Sequence, residues 1–349
     1  MDATGSRLRK PLPTIEKLWI DRRFFRETRG AWYARIDPTC DGPRGPGEIG
    51  EIRGAGLMKL RSVAGGVEVL APAKLNLFLE ILGRRPDGYH EIETVMVAIS
   101  LCDTLTIRDE PTGELRLRCS DPALPVGADN LVIRAADRLR EATGTRRGAE
   151  IELIKAIPAQ AGLAGGSSDA AATLAGLDRL WGLGLSPEQL DALAAEVGSD
   201  VSFFNHLPAA ICRGRGERVE TVSLDREYHF VLVCPPVGVS TADVYRRIVP
   251  PDGPRGAGDL LAALGRGETD DLGRSLFNRL QPVAEAIRPE LIRVRDALAD
   301  LGPLLDGSAM SGSGSAYFGL CRDRAAARHA AEVLQPLGLG WVRVVTCGP

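Results

Sequence analysis

From residue 67 onward, hydrophobic and polar positions alternate in short runs, a pattern that is typical of half-buried β-strands. The runs are bounded by glycine, proline and polar residues, which favour turns. We expect the first five strands to form one sheet; they cover residues 67–71, 75–82, 94–100, 104–108 and 150–154.

Helical spacing of apolar residues follows these strands. It predicts helices over 130–142, 168–181 and Pro187–Val197, the last with Ser186 as N-cap and Gly198 at its end. Strands and helices then intermix, which predicts a second α+β layer. Its elements are strands at 230–234, 316–321 and 341–345, and helices at 242–247, 289–301 and Arg324–Leu334.

The first 57 residues have a different composition. They are rich in arginine, crowded with glycine and proline over 41–56, and lack a periodic apolar face. Acidic residues and the missing apolar core argue against a transit or signal peptide. We therefore predict three segments: a leader at 1–57 that is disordered or not native, a domain at 58–230 and a second domain at 231–349.

Composition limits the class of partner. The formal net charge of −3 over 349 residues gives no basic surface for nucleic acid, and no apolar run reaches the roughly 20 residues of a membrane span. The seven cysteines lack C-x-x-C spacing and only four histidines accompany them. These features favour reduced thiols, no zinc site, a cytoplasmic location and a small-molecule partner.

A glycine-rich loop that runs into a helix is the strongest chemical motif. Backbone N–H groups of such a loop, together with the positive end of the helix, bind nucleotide phosphates. A plain helix-capping turn is the alternative, since the loop has neither a Walker lysine nor a G-x-G-x-x-G pattern. The residues proposed for ATP are Pro158, Ala159, Gln160, Ala161, Gly162, Leu163, Ala164, Gly165, Gly166, Ser167 and Ser168.

Two further motifs accompany the loop, one at 71–77 (APAKLNL) and one at 310–316 (MSGSGSA). In this order the three motifs resemble those of the GHMP kinase superfamily of ATP-dependent small-molecule kinases. The segment 85–92 (RPDGYHEI) narrows the resemblance to kinases that act on cytidyl-diphosphate methylerythritol in the non-mevalonate isoprenoid pathway. The resemblance covers residues 67–349 and leaves the leader uncovered.

The resemblance implies a two-domain α+β fold, with an N-terminal domain like domain 2 of ribosomal protein S5 and a ferredoxin-like C-terminal domain. ATP with Mg²⁺ would meet the substrate in a cleft between the domains and phosphorylate its 2-hydroxyl. The partners would be these two small molecules, with no nucleic acid or membrane, and the enzyme would be a monomer or a homodimer. No residue is assigned as a fixed metal ligand, although the hydroxyl of Ser168 could reach a phosphate-bound Mg²⁺.

The implied catalytic residues are Lys74 and Asp200. Lys74 is one of only five lysines in the chain, and it matches the lysine of the family's A-K-L-N motif. Asp200 matches the catalytic aspartate of the family's G-[AS]-D-V motif and would accept the proton of the substrate hydroxyl. From the residues alone, Lys74 would be a surface ion pair and Asp200 the N-cap of a short helix.

The residues implied in substrate binding are Asn76, Tyr89, His90, Thr241, Tyr245, Gly312, Ser313 and Gly314. Tyr89 and His90 would recognise the cytosine, Tyr245 would form a second aromatic wall and Thr241 would contact the diphosphate. Asn76 lies two residues after Lys74 and is expected on the same strand face. Read without the resemblance, Tyr89 and His90 are solvated loop residues, Tyr245 is helix core, and the glycines at 312 and 314 form a flexible turn.

Two positions depart from the family pattern. Ala164 stands where glycine is common, and its methyl group is tolerable if φ is negative there. His206 has no transferable role and is expected on the surface. Two other functions stay open: a GHMP kinase for mevalonate or homoserine, which does not explain residues 87–90, and a catalytically silent nucleotide-binding regulator, which does not explain Lys74 with Asp200.

Overall fold

The computed structural model describes residues 58–348 and, in the leader, two short strands that pair antiparallel, β1 (Phe25–Thr28) and β2 (Ala31–Ala34). The rest of the leader lies outside the described residues, so its predicted disorder stays a prediction. The other strands are β3 (Leu60–Val63), β4 (Gly66–Arg84), β5 (His90–Glu110), β6 (Leu115–Cys119), β7 (Gly148–Ile154), β8 (Ala209–Gly214), β9 (Arg218–Val222), β10 (Tyr228–Cys234), β11 (Phe277–Asn278), β12 (Gly307–Met310), β13 (Tyr317–Cys321) and β14 (Trp341–Cys347).

The α-helices are α1 (Leu131–Thr143), α2 (Gly165–Trp181), α3 (Pro187–Val197), α4 (Thr241–Arg247), α5 (Gly258–Arg266), α6 (Thr269–Ser275), α7 (Gln281–Ile287), α8 (Glu290–Ala299) and α9 (Arg324–Leu334). The bounds of α3 and α9 agree with those predicted. Ser186 caps α3 as predicted, because its hydroxyl accepts a bond from the Gln189 backbone while the Gln189 side chain accepts one from the Ser186 backbone.

The first sheet is built around two long strands, β4 and β5. The sequence predicted two separate strands for each of them. The alternation is interrupted because the β4–β5 register shifts between Pro72 and Ala73, again between Asn76 and Phe78, and again between Ile81 and Gly83. Such bulges bend a strand without ending it, and they re-aim nearby side chains. Two of the three flank the segment of β4 that carries Lys74 and Asn76.

The first sheet has the order β11-β4-β5-β7-β6, with β3 added on β4, β8 on β5 and β9 on β8. One of its faces packs against α1, α2 and α3. Gly176 allows α2 to approach closely, because a Cβ there would lie 2.5 Å from Cδ1 of Ile107. This close contact between α2 and the sheet fixes the distance of the preceding loop from the sheet.

The second sheet has the antiparallel order β12-β13-β10-β14. The inner face of this second sheet packs against the face of the first sheet that is turned away from α1, α2 and α3. The outer face of the second sheet packs against α7, α8 and α9. Residues 58–348 belong to one unit, and β11, from the C-terminal part, pairs in parallel with β4. The predicted boundary between residues 230 and 231 falls within β10, so the division into two domains stays a prediction.

Candidate active site

A cleft of about 1280 Å³ brings the three motifs together. Its walls come from β4, the glycine-rich loop, the turn before β5, the start of α4 and the loop after β12. Among the predicted site residues that line it are Lys74, Asn76, Asp200, Tyr89, His90, Thr241, Tyr245, Gly312 and Ser313, with the loop from Pro158 to Ser167. Ser168 and Gly314 lie next to these positions but do not line the cleft.

The glycine-rich loop ends at Ala164, where the backbone is left-handed. Its φ is +54°, so the condition under which a methyl group is tolerated without strain, a negative φ, is not met at this alanine. The left-handed turn lets α2 begin at Gly165, three residues before the predicted start at Ser168, with Ala164 as its N-cap. A non-glycine residue is strained in this region by about 1–2 kcal/mol, and the strain lies at the entrance to the proposed phosphate site.

The loop after β12 packs backbone to backbone on the glycine-rich loop. The amide of Ala316 donates to the Ala161 carbonyl at 3.0 Å, and the hydroxyl of Ser311 donates to the Gly162 carbonyl at 3.0 Å. Ser311 is fully buried and Ser313 nearly so. This loop is therefore a fixed wall of the cleft, and its composition alone, which is typical of a flexible turn, gives the wrong expectation.

Lys74 is buried at the junction of these two loops, with 2% of its surface exposed. Its ammonium group donates to the Gly162 carbonyl at 2.8 Å and to the side-chain oxygen of Asn76. It lies 3.9 Å from a carboxylate oxygen of Asp200. Burial lowers the pKa of Lys74, and the charge of Asp200 opposes this shift. A surface ion pair does not describe this buried cation.

Asn76, two residues after Lys74 on β4, holds the ammonium group of that lysine. Its side-chain oxygen accepts from Lys74, and its amide nitrogen donates to the Thr94 hydroxyl at 2.8 Å. The Thr94 hydroxyl in turn donates to the Phe78 carbonyl at 2.6 Å. This chain of bonds fixes the orientation of the Asn76 amide, so that its oxygen faces the lysine.

Asp200 does not cap the short helix that follows it. The 3-10 helix Ser202–Asn205 begins after Val201 and has no side-chain cap. The Asp200 side chain is 37% exposed and lines the cleft beside Lys74. His206, at the end of this helix, is half-buried and lies 2.8 Å from a carboxylate oxygen of Asp191, which corrects the expectation of a surface residue. The hydrogen bond between these two side chains holds the imidazole against α3.

Aromatic side chains form the far end of the cleft. The His90 ring packs on the Tyr245 ring with centroids 5.6 Å apart, while Tyr89 is 55% exposed and lies under the Arg215 guanidinium. Burial lowers the pKa of His90, and the charge of Arg84 adds to the shift, so the imidazole is neutral near pH 7. Burial also raises the pKa of Tyr245, which keeps its hydroxyl protonated.

Hydroxyl groups bring α4 and the loop after β12 together in the same region. Thr241, the first residue of α4, lies with its Oγ1 2.7 Å from the Ser313 hydroxyl. Ser240 caps α4 by accepting from the Asp243 backbone. Two residues that the sequence assigned separately to the substrate therefore form one polar contact.

An ion cluster beneath the glycine-rich loop was missed by the sequence analysis. The Lys155 ammonium is shared by the buried carboxylates of Asp103 and Asp169, the latter at 2.7 Å. Asp103 also accepts from the backbones of Ala156 and Ile157. The scarcity of lysine was the available signal, because it applies to Lys155 as it does to Lys74. Arg215, which lines the cleft, was also missed.

Metal-binding side chains are sparse in the part of the chain that the structure describes. No group of three or more histidine, cysteine, aspartate or glutamate residues between 58 and 348 could hold a metal ion. The hydroxyl of Ser168 is fully buried and has no hydrogen-bond partner among these residues. Over the same residues, no helix is long and apolar enough to cross a membrane.

Comparisons with known proteins agree with this geometry. The family model described as GHMP kinases N terminal domain matches residues 130–211, and that described as GHMP kinases C terminal matches 260–336. The predicted α+β GHMP kinase fold is thereby confirmed. A crystal structure of 4-(cytidine 5'-diphospho)-2C-methyl-D-erythritol kinase is 40% identical, with a TM-score of 0.68, and the match covers 81% of this chain and 99% of that one.

Two curated relatives carry the same activity in their names. The 4-diphosphocytidyl-2-C-methyl-D-erythritol kinase of Pelotomaculum thermopropionicum is 46% identical over 267 residues, which is 76% of this chain and 92% of the relative. That of Symbiobacterium thermophilum is 45% identical over 281 residues, 79% of this chain and 98% of the relative. The chain therefore belongs to the 4-diphosphocytidyl-2-C-methyl-D-erythritol kinase family of GHMP kinases.

Proposed function

We propose that this kinase carries out its family's reaction by using Asp200 as the base and Lys74 as a fixed cation. In this reaction ATP phosphorylates the 2-hydroxyl of 4-diphosphocytidyl-2-C-methyl-D-erythritol, an intermediate of the non-mevalonate isoprenoid pathway. The observation that carries the proposal is the distance of 3.9 Å between the buried Lys74 ammonium and the Asp200 carboxylate, at the meeting point of the two loops.

The hydroxyl group of the substrate would give its proton to the Asp200 carboxylate as its oxygen attacks the γ-phosphorus of ATP. The bond from that phosphorus to the β-phosphate oxygen breaks, and ADP leaves. Asp200 is open to the cleft, as a base that meets a substrate must be, whereas Lys74 is buried and held by Asn76 and the Gly162 carbonyl. Its fixed charge would orient Asp200 and stabilise the negative charge that develops.

The loop from Pro158 to Ser168 would hold the ATP phosphates. It leads into the first turn of α2, whose unpaired backbone N–H groups and positive dipole favour an anion. The loop lines the cleft next to Lys74. Lys155 lines the same wall, and its ion cluster braces the strand and helix that flank the loop.

Mg²⁺ would enter with the nucleotide, since it takes most of its ligands from phosphates and water and only one or two from protein. The hydroxyl of Ser168, in the first turn of α2, has no hydrogen-bond partner among residues 58–348 and suits such a contact by its chemistry, but it is buried behind the residues that line the cleft. Ser168 would hold the ion only where the nucleotide brings it against this turn, and the ion would neutralise charge on the transferred phosphoryl group.

The aromatic end of the cleft would bind the cytidyl group. Tyr89, Tyr245 and the neutral His90 offer ring faces and a hydrogen-bonding edge for a base. Asn76 and Gly312 would bound the polyol, and Thr241 with Ser313 the diphosphate, whereas Gly314, which does not line the cleft, would shape the loop that carries them. This order places the cytidine away from the ATP loop and the reacting hydroxyl beside Asp200.

Composition supports two small molecules as the partners of a cytoplasmic enzyme. The net charge of −3 gives no extended basic surface, and the cysteines lack zinc-type spacing. We infer no role for nucleic acid or a membrane, and a monomer or homodimer is the proposed state.

The test is ADP release, measured by a coupled assay with the cytidyl substrate, homoserine or mevalonate as acceptor. We expect turnover with the cytidyl substrate alone, and a phosphate ester at its 2-position in the product by NMR. Turnover with homoserine or mevalonate instead would contradict the proposed substrate. Nucleotide binding without turnover of any acceptor would favour a regulatory protein.

A further inference from the structure

The turn between β8 and β9 presents Arg215 to the cleft. Arg215 stands between Gly214 and Gly216, whose φ values of +77° and +115° allow a sharp reversal of the chain. Its backbone amide donates to the Glu217 carboxylate at 2.6 Å, which fixes the turn. The guanidinium carbon lies 5.0 Å from the centre of the Tyr89 ring. Arg215 is thus a held, half-buried side chain that lines the cleft.

Arg215 has no carboxylate within ion-pair distance among residues 58–348. The two other arginines of the same hairpin are paired, Arg213 with Glu93 and Arg218 with Glu91. The two acids nearest in sequence to Tyr89, Asp87 and Glu91, are both bonded to Arg85, at 3.1 and 2.7 Å, although the charge of Arg215 also acts on Asp87 from a greater distance. A half-buried guanidinium with no carboxylate at ion-pair distance can bind an anionic ligand, and its planar donors match phosphate oxygens.

The turn also lies against the proposed base. A Cβ placed at Gly216 would be 3.8 Å from a carboxylate oxygen of Asp200. The hairpin turn is therefore next to the Tyr89 ring through Arg215 and next to Asp200 through Gly216. In the proposed substrate, the diphosphate is the part that joins the cytidine to the polyol with the reacting hydroxyl. Arg215 lies between Tyr89 and Asp200, where the diphosphate of such a substrate would lie.

We propose that Arg215 binds the diphosphate of the cytidyl substrate and so determines specificity for a diphosphate-linked acceptor. The proposal rests on the proposed function, since it needs the cytosine ring to lie at Tyr89 and the reacting hydroxyl of the substrate to lie at Asp200. Thr241 and Ser313 offer neutral hydroxyl groups to the diphosphate, whereas Arg215 offers a positive charge.

The experiment compares cytidine with CDP as ligands of the full chain, by isothermal titration calorimetry. The variants are Arg215→Gln and, as a matched control, Arg218→Gln, which removes the same charge from the same hairpin outside the cleft. For Arg215→Gln we expect CDP binding to weaken about tenfold or more, because a charge-assisted hydrogen bond is lost. Cytidine binding should change less than about twofold, and Arg218→Gln should bind both ligands like the unchanged chain.

The outcomes separate the two proposals. If Arg215→Gln weakens cytidine and CDP equally, Arg215 only supports the Tyr89 ring and the diphosphate contact is wrong. If CDP binding does not change, Arg215 binds no phosphate. An unchanged chain that binds neither cytidine nor CDP would instead contradict the proposed substrate, and the role of Arg215 with it. A KM for the cytidyl substrate that rises in Arg215→Gln, with the KM for ATP unchanged, would add support from turnover.

Discussion

The carbonyl oxygen of Ser311 lies 2.1 Å from the point that a Cβ atom at Gly162 would occupy. Gly162 has a φ of +74°, so it also adopts a backbone conformation that disfavours side chains. The same glycine offers its carbonyl to Lys74 and to the Ser311 hydroxyl. A single position thus joins the proposed phosphate loop, the third motif and the buried lysine, which lie far apart in the sequence.

We predict that Gly162→Ala lowers the free energy of unfolding by about 2 kcal/mol or more, because it adds left-handed strain to a backbone clash. Urea denaturation measures this change. Gly166→Ala is the control for stability: its nearest new contact is Cδ1 of Leu131 at an ordinary 3.6 Å, and alanine suits the helix. Equal stability of the two variants would show that the loops separate readily.

Replacement of the proposed base should affect turnover more than binding. In Asp200→Asn, the side chain keeps its size but cannot accept the proton of the hydroxyl, so kcat should fall about 10²-fold or more. The KM values for ATP and the cytidyl substrate should change little. Steady-state ADP release measures both, with the exposed Asp225→Asn as control. Near-normal turnover of Asp200→Asn would remove this residue from the mechanism.

The sequence predicted which residues meet at the cleft better than it predicted their surroundings. Each motif is a continuous stretch of sequence, so Lys74, Asp200 and the glycine-rich loop could be assigned to one site, and the structure brings them together. The ion cluster of Lys155 could not, because Asp103 and Asp169 reach it from different elements and share no spacing pattern. Arg215 was missed for a similar reason: its stacking on Tyr89 depends on the pairing of β5 with β8.

The elements of the fold also divide into those that the sequence predicted and those that it missed. α3 and α9 were predicted at their observed bounds, since each begins at a polar N-cap and has a periodic apolar face. The short elements α6 and β11 were not predicted, because their few apolar residues give no clear period, and α5 was missed although Leu260, Ala263 and Leu264 have helical spacing. At Ala164 the sequence left the sign of φ open, and the structure has a positive value at the start of α2.

The two tyrosines should separate the substrate from the nucleotide. We predict that Tyr89→Ala and Tyr245→Ala each raise the KM for the cytidyl substrate by about 2- to 13-fold, the loss of one stacking contact of roughly 0.5–1.5 kcal/mol. The KM for ATP should stay within about twofold. Tyr245 also packs partly on the core, so Tyr245→Phe controls for folding. A rise in the KM for ATP instead would place these rings in the adenine pocket.

Asp169 should make the stability of the fold depend on pH. Burial, with the nearby charge of Asp103, raises the pKa of Asp169 to about 7, although Lys155 opposes the shift. The folded state therefore binds more protons than the unfolded state between about pH 4 and 7. Stability that is present at low pH is lost as pH rises through this range, by up to about 1.4 kcal/mol per pH unit.

We predict that Asp169→Asn removes this loss, because an amide carries no charge at any pH in the range yet can still accept a bond from Lys155. Free energies of unfolding, measured by urea denaturation between pH 5 and 8, should fall with pH more steeply in the unchanged chain than in Asp169→Asn. Asp137→Asn, an exposed change on α1, should follow the unchanged chain. Parallel curves for Asp169→Asn and the unchanged chain would mean that Lys155 keeps both carboxylates ionised, and that the charge under the phosphate loop does not vary with pH.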